Sequence, residues 1–107
     1  MTGEAFESLL NRRIDAIRRT LGYKAREYGT EDERLHNFIE AAKFIRCHPV
    51  STCLVELAKN LVCVVDMVKQ VEAGNPPIWH AIDEKLGNAV NFLILLEAIL
   101  KNRDGGA

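Results

Sequence analysis

Between Pro49 and the stop formed by Ala73-Gly74-Asn75-Pro76-Pro77 runs a stretch without an internal turn residue. In it Leu54, Leu57, Ala58, Leu61, Val62, Val64, Val65, Val68 and Val71 recur at helical spacing. The valines alone would suit a strand, but the segment is several times the length of an ordinary strand, so a helix over about Pro49 to Glu72 is expected. Its apolar residues occupy most of the circumference. Such a helix must be covered on several sides, by its own chain and by further copies, so an oligomer, most simply a two-fold dimer, is expected.

The remaining segments also carry the helical period. Phe6, Leu9, Leu10, Ile14, Ile17 and Leu21 form one stripe, with Arg12, Arg13, Arg18 and Arg19 off it. This first helix is expected to reach Leu21, with a possible bend at Gly22 and continuation to Tyr28 before Gly29. Thr30-Glu31-Asp32-Glu33 reads as a capping box opening a second helix to about Arg46, with Leu35, Phe38, Ile39, Ala42 and Ile45 on its buried side. Gly74 is the expected cap of the third helix and Asn75 that of a fourth, running to about Lys101. The fold expectation is therefore all-α, an antiparallel four-helix bundle in a single domain over residues 1–101, followed by a glycine-rich tail, 102–107.

With 107 residues, 14 basic and 15 acidic side chains and a formal charge of -1, the chain holds one core and has no bulk attraction for nucleic acid or anionic lipid. No segment has an uninterrupted apolar span of bilayer length, so no membrane crossing is expected. The opening Met1-Thr2-Gly3-Glu4 lacks the pattern of a secretory leader. Cys47, Cys53 and Cys63 make an odd set without CxxC spacing, which suits reduced thiols. The expected location is cytoplasmic.

Polar residues inside the two oiliest helices are the candidate functional groups, because a buried charge or amide is costly unless it is paired or metal-bound. Lys59, Cys63 and Asp66 share one stripe of the third helix, flanked by Glu56 and Asn60; Glu84, Asn88 and Asn91 form a stripe on the fourth. Facing one another, these stripes would gather carboxylates and amides in the way a hard, oxygen-seeking ion such as Mg²⁺ requires. The same spacing also serves plain structure, with Lys59 and Asp66 paired and the asparagines bridging helices. The four arginines of the first helix form two adjacent pairs that could grip a phosphate or RNA, but a solvated face balanced by Glu7 and Asp15 is the expected reading. Trp79 and His80 open the fourth helix, where the indole is expected in the core and otherwise offers a stacking platform for a base. Cys47, His48, Cys53 and His36 do not have the spacing of a structural zinc site.

Lys24-Ala25-Arg26-Glu27-Tyr28-Gly29, Asp32-Glu33-Arg34-Leu35-His36-Asn37-Phe38, Ala58-Lys59-Asn60, Asp66-Met67, Trp79, Glu84-Lys85 and Asn91-Phe92-Leu93-Ile94-Leu95-Leu96 resemble blocks of a family of small uncharacterised bacteriophage and prophage proteins. More distantly, the chain is similar to nucleotide-modification-associated domains and to MazG-like all-α nucleoside triphosphate pyrophosphohydrolases. That resemblance implies an oligomeric bundle in which acids hold Mg²⁺ against a nucleotide's phosphates while water attacks phosphorus. It implies Asp66, Glu84 and Asn88 as metal ligands and Lys59 and Asn91 as nucleotide contacts. Lys24, Tyr28 and Arg34 would serve the ligand from the connecting loop, or brace the second helix. The chain departs from the pattern at Asn88, where that family often has Asp, and at Asn60, where it often has His; an uncharged amide does not offset a dication's charge, so each change implies weaker metal binding. The rival expectation is a non-catalytic helical interaction module, whose polar stripes set register and partner choice.

Overall fold

The computed structural model describes residues 1–22, 25–30 and 32–103. Four helices, α1 (Gly3–Leu21), α2 (His36–Ile45), α3 (Pro49–Glu72) and α4 (Trp79–Arg103), account for all the regular structure, and no strand occurs among the described residues. No helix is long and apolar enough to cross a membrane among them.

Local chemistry explains most of the boundaries. The Thr2 hydroxyl accepts the Ala5 N–H at 3.0 Å and opens α1. At Gly22 the backbone turns extended (φ −62°, ψ 168°), so α1 stops there and does not continue to Tyr28. A cause lies in Arg34, whose guanidinium takes the terminal carbonyls of Leu21 and Gly22 at 3.2 and 2.6 Å, bonds that an unbroken helix would keep for itself. Lys24 lies outside the described residues.

The expected capping box at Thr30 is built as a closed turn instead of a helix start. Thr30 Oγ1 accepts the Glu33 N–H at 3.0 Å, but the Thr30 N–H bonds to the Glu33 carbonyl and the Glu33 carboxylate accepts from the Leu35 N–H, which moves the helix start to His36. For α3 the expected bounds coincide with the observed ones. His48 Nδ1 accepts the Val50 N–H at 3.1 Å, Pro49 occupies the first turn, and Gly74 at φ 90° follows the last one. Asn75 does not cap α4; its side chain and backbone N–H both turn back to Gln70, and α4 begins at Trp79, past the two prolines. Residues 102 and 103 continue α4, so the helix outlasts the expected end at Lys101, and 104–107 lie outside the described residues.

α3 and α4 form an antiparallel hairpin, in which Cys53 lies against Phe92 and Asn60 against Asn88. α2 packs on α3 and α1 on α4. The antiparallel relation does not extend to α1, which runs in the direction of α4: Arg13 reaches Asp83 and Gly87, whereas Leu21 lies beside Ile94 and Leu95. The long connection from α1 to α2 permits this parallel return.

The core gathers at one end of the hairpin. Leu35, Phe38, Cys53, Leu57, Ala89, Phe92, Leu95 and Ile99 are buried together, with Tyr28, Leu21 and Ile39 against them. Tyr28, Phe38 and Phe92 join three elements, with ring centroids 5.4 to 6.3 Å apart. Of the expected face, Leu35, Phe38 and Ala42 are buried and Ile39 is half-buried, whereas Ile45, in the last turn of α2, is exposed. No residue of α3 beyond Asn60 is buried. Within one chain, then, α3 is not covered on several sides.

Candidate functional site

The polar stripes divide into a buried part and an exposed part. On the buried side, Asn60 Nδ2 donates to the Glu56 carbonyl one turn earlier at 2.8 Å, and its Oδ1 accepts from Asn88 Nδ2 at 3.2 Å, so two amides bridge α3 and α4. One turn further along α4, Asn91 is buried and its Oδ1 finds no partner. On the exposed side, Lys59 pairs with Glu56 at 3.5 Å, and not with Asp66, while Glu84 lies 3.7 Å from its neighbour Lys85. Asp66 is exposed. The geometry therefore brings Asn60 and Asn88 together, buries Asn91 one turn along α4, and leaves Lys59, Asp66 and Glu84 at the surface. No group of three or more His, Cys, Asp or Glu side chains placed to hold a metal occurs among the described residues. Asp66 and Glu84 face solvent, and Asn88 donates its amide N–H to Asn60, a bond that does not use its carbonyl oxygen, the atom a hard cation would take.

The loop residues have structural partners. Arg34 donates to four backbone carbonyls, those of Ala25 and Thr30 at 2.8 and 2.9 Å besides Leu21 and Gly22, and so folds the connection between α1 and α2 around one guanidinium. Asn37 ties the same loop from α2, through the Glu27 and Tyr28 carbonyls. Gly29 is buried where a Cβ would lie 2.5 Å from the Glu33 and Arg34 carbonyl oxygens, so no larger residue fits. The Tyr28 ring packs in the aromatic trio, and burial raises its hydroxyl pKa, with Glu27 and Glu56 adding to the effect. Among the thiols, Cys53 is fully buried and donates to the Phe92 carbonyl at 3.4 Å; burial, helped by Glu56, pushes it up to about 11.

A second polar region was not singled out as one site by the sequence pattern. Trp79 is 68% exposed, against the expectation that its indole packs in the core. It stands at the rim of a groove of about 700 Å³ between α1 and α4, into which Arg12, Arg13, Arg19 and His80 also face. The reason for its exposure is the splay of α1, which has no buried residue and lies loosely on α4. The signal that was available is Gly87, a glycine in the middle of a long helix: a Cβ there would strike Arg13 Nη1, so the missing side chain makes room for a guanidinium. Arg13 Nη2 also donates to the Asp83 carbonyl at 3.4 Å.

No protein family, curated protein or solved structure matches the chain.

Proposed function

We propose that the chain is a self-associating helical module that works as a two-fold dimer through α3. The observation that carries this reading is a seam on the open side of that helix. Leu54, Ala58, Leu61, Val65 and Val68 follow one another at alternating steps of four and three, and every one of them is exposed. That is the spacing of a coiled-coil interface, where two helices meet at a shallow angle. The seam is also self-complementary: turned antiparallel about Leu61, Leu54 meets Val68 and Ala58 meets Val65, small against large, as an interface made of one patch twice requires.

Area supports the same reading. A folded monomer of this mass has about 6,000 Å² of accessible surface, and this chain has 7796 Å². Its radius of gyration is 15.9 Å, where a compact domain of this length has about 13 Å. The surplus surface exceeds the roughly 800 Å² that each partner contributes to a standard interface. Sedimentation equilibrium of the full chain tests the proposal directly: the expected species has twice the 12.0 kDa chain mass, and a monomer at all concentrations would remove it.

The second reading is the Mg²⁺-dependent nucleoside triphosphate pyrophosphohydrolase or nucleotide-binding protein of phage type that the sequence resemblance implies. It is favoured by one observation, the unpartnered Oδ1 of Asn91, one turn along α4 from Asn88, because a buried acceptor calls for a donor, which an ordered water, an ion or a ligand can supply. The test is pyrophosphate release from a nucleotide panel with Mg²⁺ or Mn²⁺, compared with an Asp66→Asn, Glu84→Gln double variant. Release by the native chain well above that of the variant supports the reading; equal background rates remove it.

A further inference from the structure

We infer that the groove between α1 and α4 binds a small molecule that joins a flat ring to a phosphate, with the ring on Trp79 and the phosphate held by Arg12, Arg13 and Arg19. This inference rests on neither reading above; the groove lies on the α1 side of the hairpin, away from the exposed seam of α3.

The pairing state of the arginines is the first observation. Asp15 stands three residues after Arg12 and four before Arg19, the spacing at which helix neighbours pair, and a merely solvated face would use it. Yet among the described residues no carboxylate lies within ion-pair distance of Arg12, Arg13 or Arg19. Three guanidiniums line one groove, those of Arg12 and Arg19 without a carboxylate partner and that of Arg13 donating to the Asp83 carbonyl at 3.4 Å and seated in the gap at Gly87. Guanidinium forks match phosphate oxygens in pairs, which makes a phosphate the best-fitting anion.

The indole is the second observation. Trp79 presents its ring to water at the rim of the same groove, beside His80, so the site joins an anion grip to a stacking surface. Asp83 and Glu84 stand on the α4 wall. They reduce the net positive charge of the groove and, with the chain's overall charge of -1, disfavour a long polyanion relative to one compact ligand. The groove volume of about 700 Å³ lies within the range of small-molecule sites.

Trp79 is the sole tryptophan, so its emission reports on the groove without a label. The full chain is titrated with phenyl phosphate and with adenosine monophosphate, which differ in ring, and with inorganic phosphate and adenosine as the separate halves; calorimetry gives the same affinities independently. The expected result is saturable quenching by at least one ring-phosphate compound, roughly tenfold or more tighter than by either half. Arg12→Gln and Arg19→Gln, both at exposed positions, should each weaken it by roughly tenfold with unchanged helicity. Trp79→Leu should weaken the ring-phosphate compound toward the affinity of inorganic phosphate, read by calorimetry, while the distant Lys43→Gln changes nothing. Quenching by the halves equal to that by the joined compounds, insensitivity to both arginine variants, or binding of a single-stranded oligonucleotide alone would overturn the assignment.

Discussion

Asn88 donates its side-chain amide to the Oδ1 of Asn60 across the α3–α4 hairpin at 3.2 Å, and Asn60 in turn donates to the Glu56 carbonyl. Two amides thus form a side-chain bond across the hairpin, beside the one from Cys53 to the Phe92 carbonyl, and they fix which residue of α3 faces which residue of α4. Removing one partner strands the other: Asn60→Ala should cost about 1–3 kcal/mol in urea unfolding. Replacing both with leucine should recover much of that loss, because no unpaired amide then remains. An additive result for the pair would show that the bridge is not coupled.

Arg34 and Gly29 form one device. Arg34→Lys keeps the charge but cannot reach four carbonyls with one ammonium, so about 2 kcal/mol of stability should be lost, on the scale of hydrogen bonds to charged groups. Gly29→Ala should be at least as damaging, since the new methyl meets two backbone carbonyls that have little freedom to move. Amide exchange should localise both effects to residues 25–30 and the first turn of α2.

Gly87→Ala should have the opposite sign. The atom in its way is the end of a flexible arginine, held by one bond of 3.4 Å, so Arg13 swings aside and α4 gains about 0.5–1 kcal/mol of helix propensity. The midpoint of thermal unfolding should rise. A fall would mean that Arg13 is anchored more firmly than that contact implies.

The buried thiol gives a pH dependence. Cys53 has an ordinary value of 9.0 raised to about 11, so in the folded chain the neutral form is favoured. Its contribution is fully present below about pH 9 and is lost as pH rises toward 11, when the unfolded chain ionises first; the size is on the order of 2 kcal/mol. Native stability should therefore fall more steeply between these values than that of Cys53→Ala, measured by urea unfolding. At neutral pH a thiol reagent should modify exposed Cys47 first, half-buried Cys63 later and Cys53 last.

The fold class was legible because α3 carries an unmistakable period and is bounded by Pro49 and Gly74, residues whose backbone chemistry acts locally. The start of α2 was not, because the Thr30–Glu33 pair makes the same hydrogen-bonded turn whether or not a helix follows, and only the distant Arg34 contacts decide. The direction of α1 depends on packing against α4, which no local signal encodes. Periodicity placed Lys59, Asp66 and Glu84 on stripes, yet a stripe names a face of a helix and not what covers that face; Asn60, Asn88 and Asn91 are enclosed and the charged residues are not. Trp79 was expected inside because indoles bury a large area, an expectation that holds only where a neighbouring helix closes over them.

Leu61 is the residue that the proposed two-fold axis brings next to its own copy. Light scattering across a concentration series should find the native chain as a dimer. Leu61→Asp, which sets two carboxylates against each other at an exposed position of α3, should give a monomer with unchanged helicity by circular dichroism. A native chain that is monomeric throughout, or a Leu61→Asp variant that associates as strongly as the native chain, would contradict it.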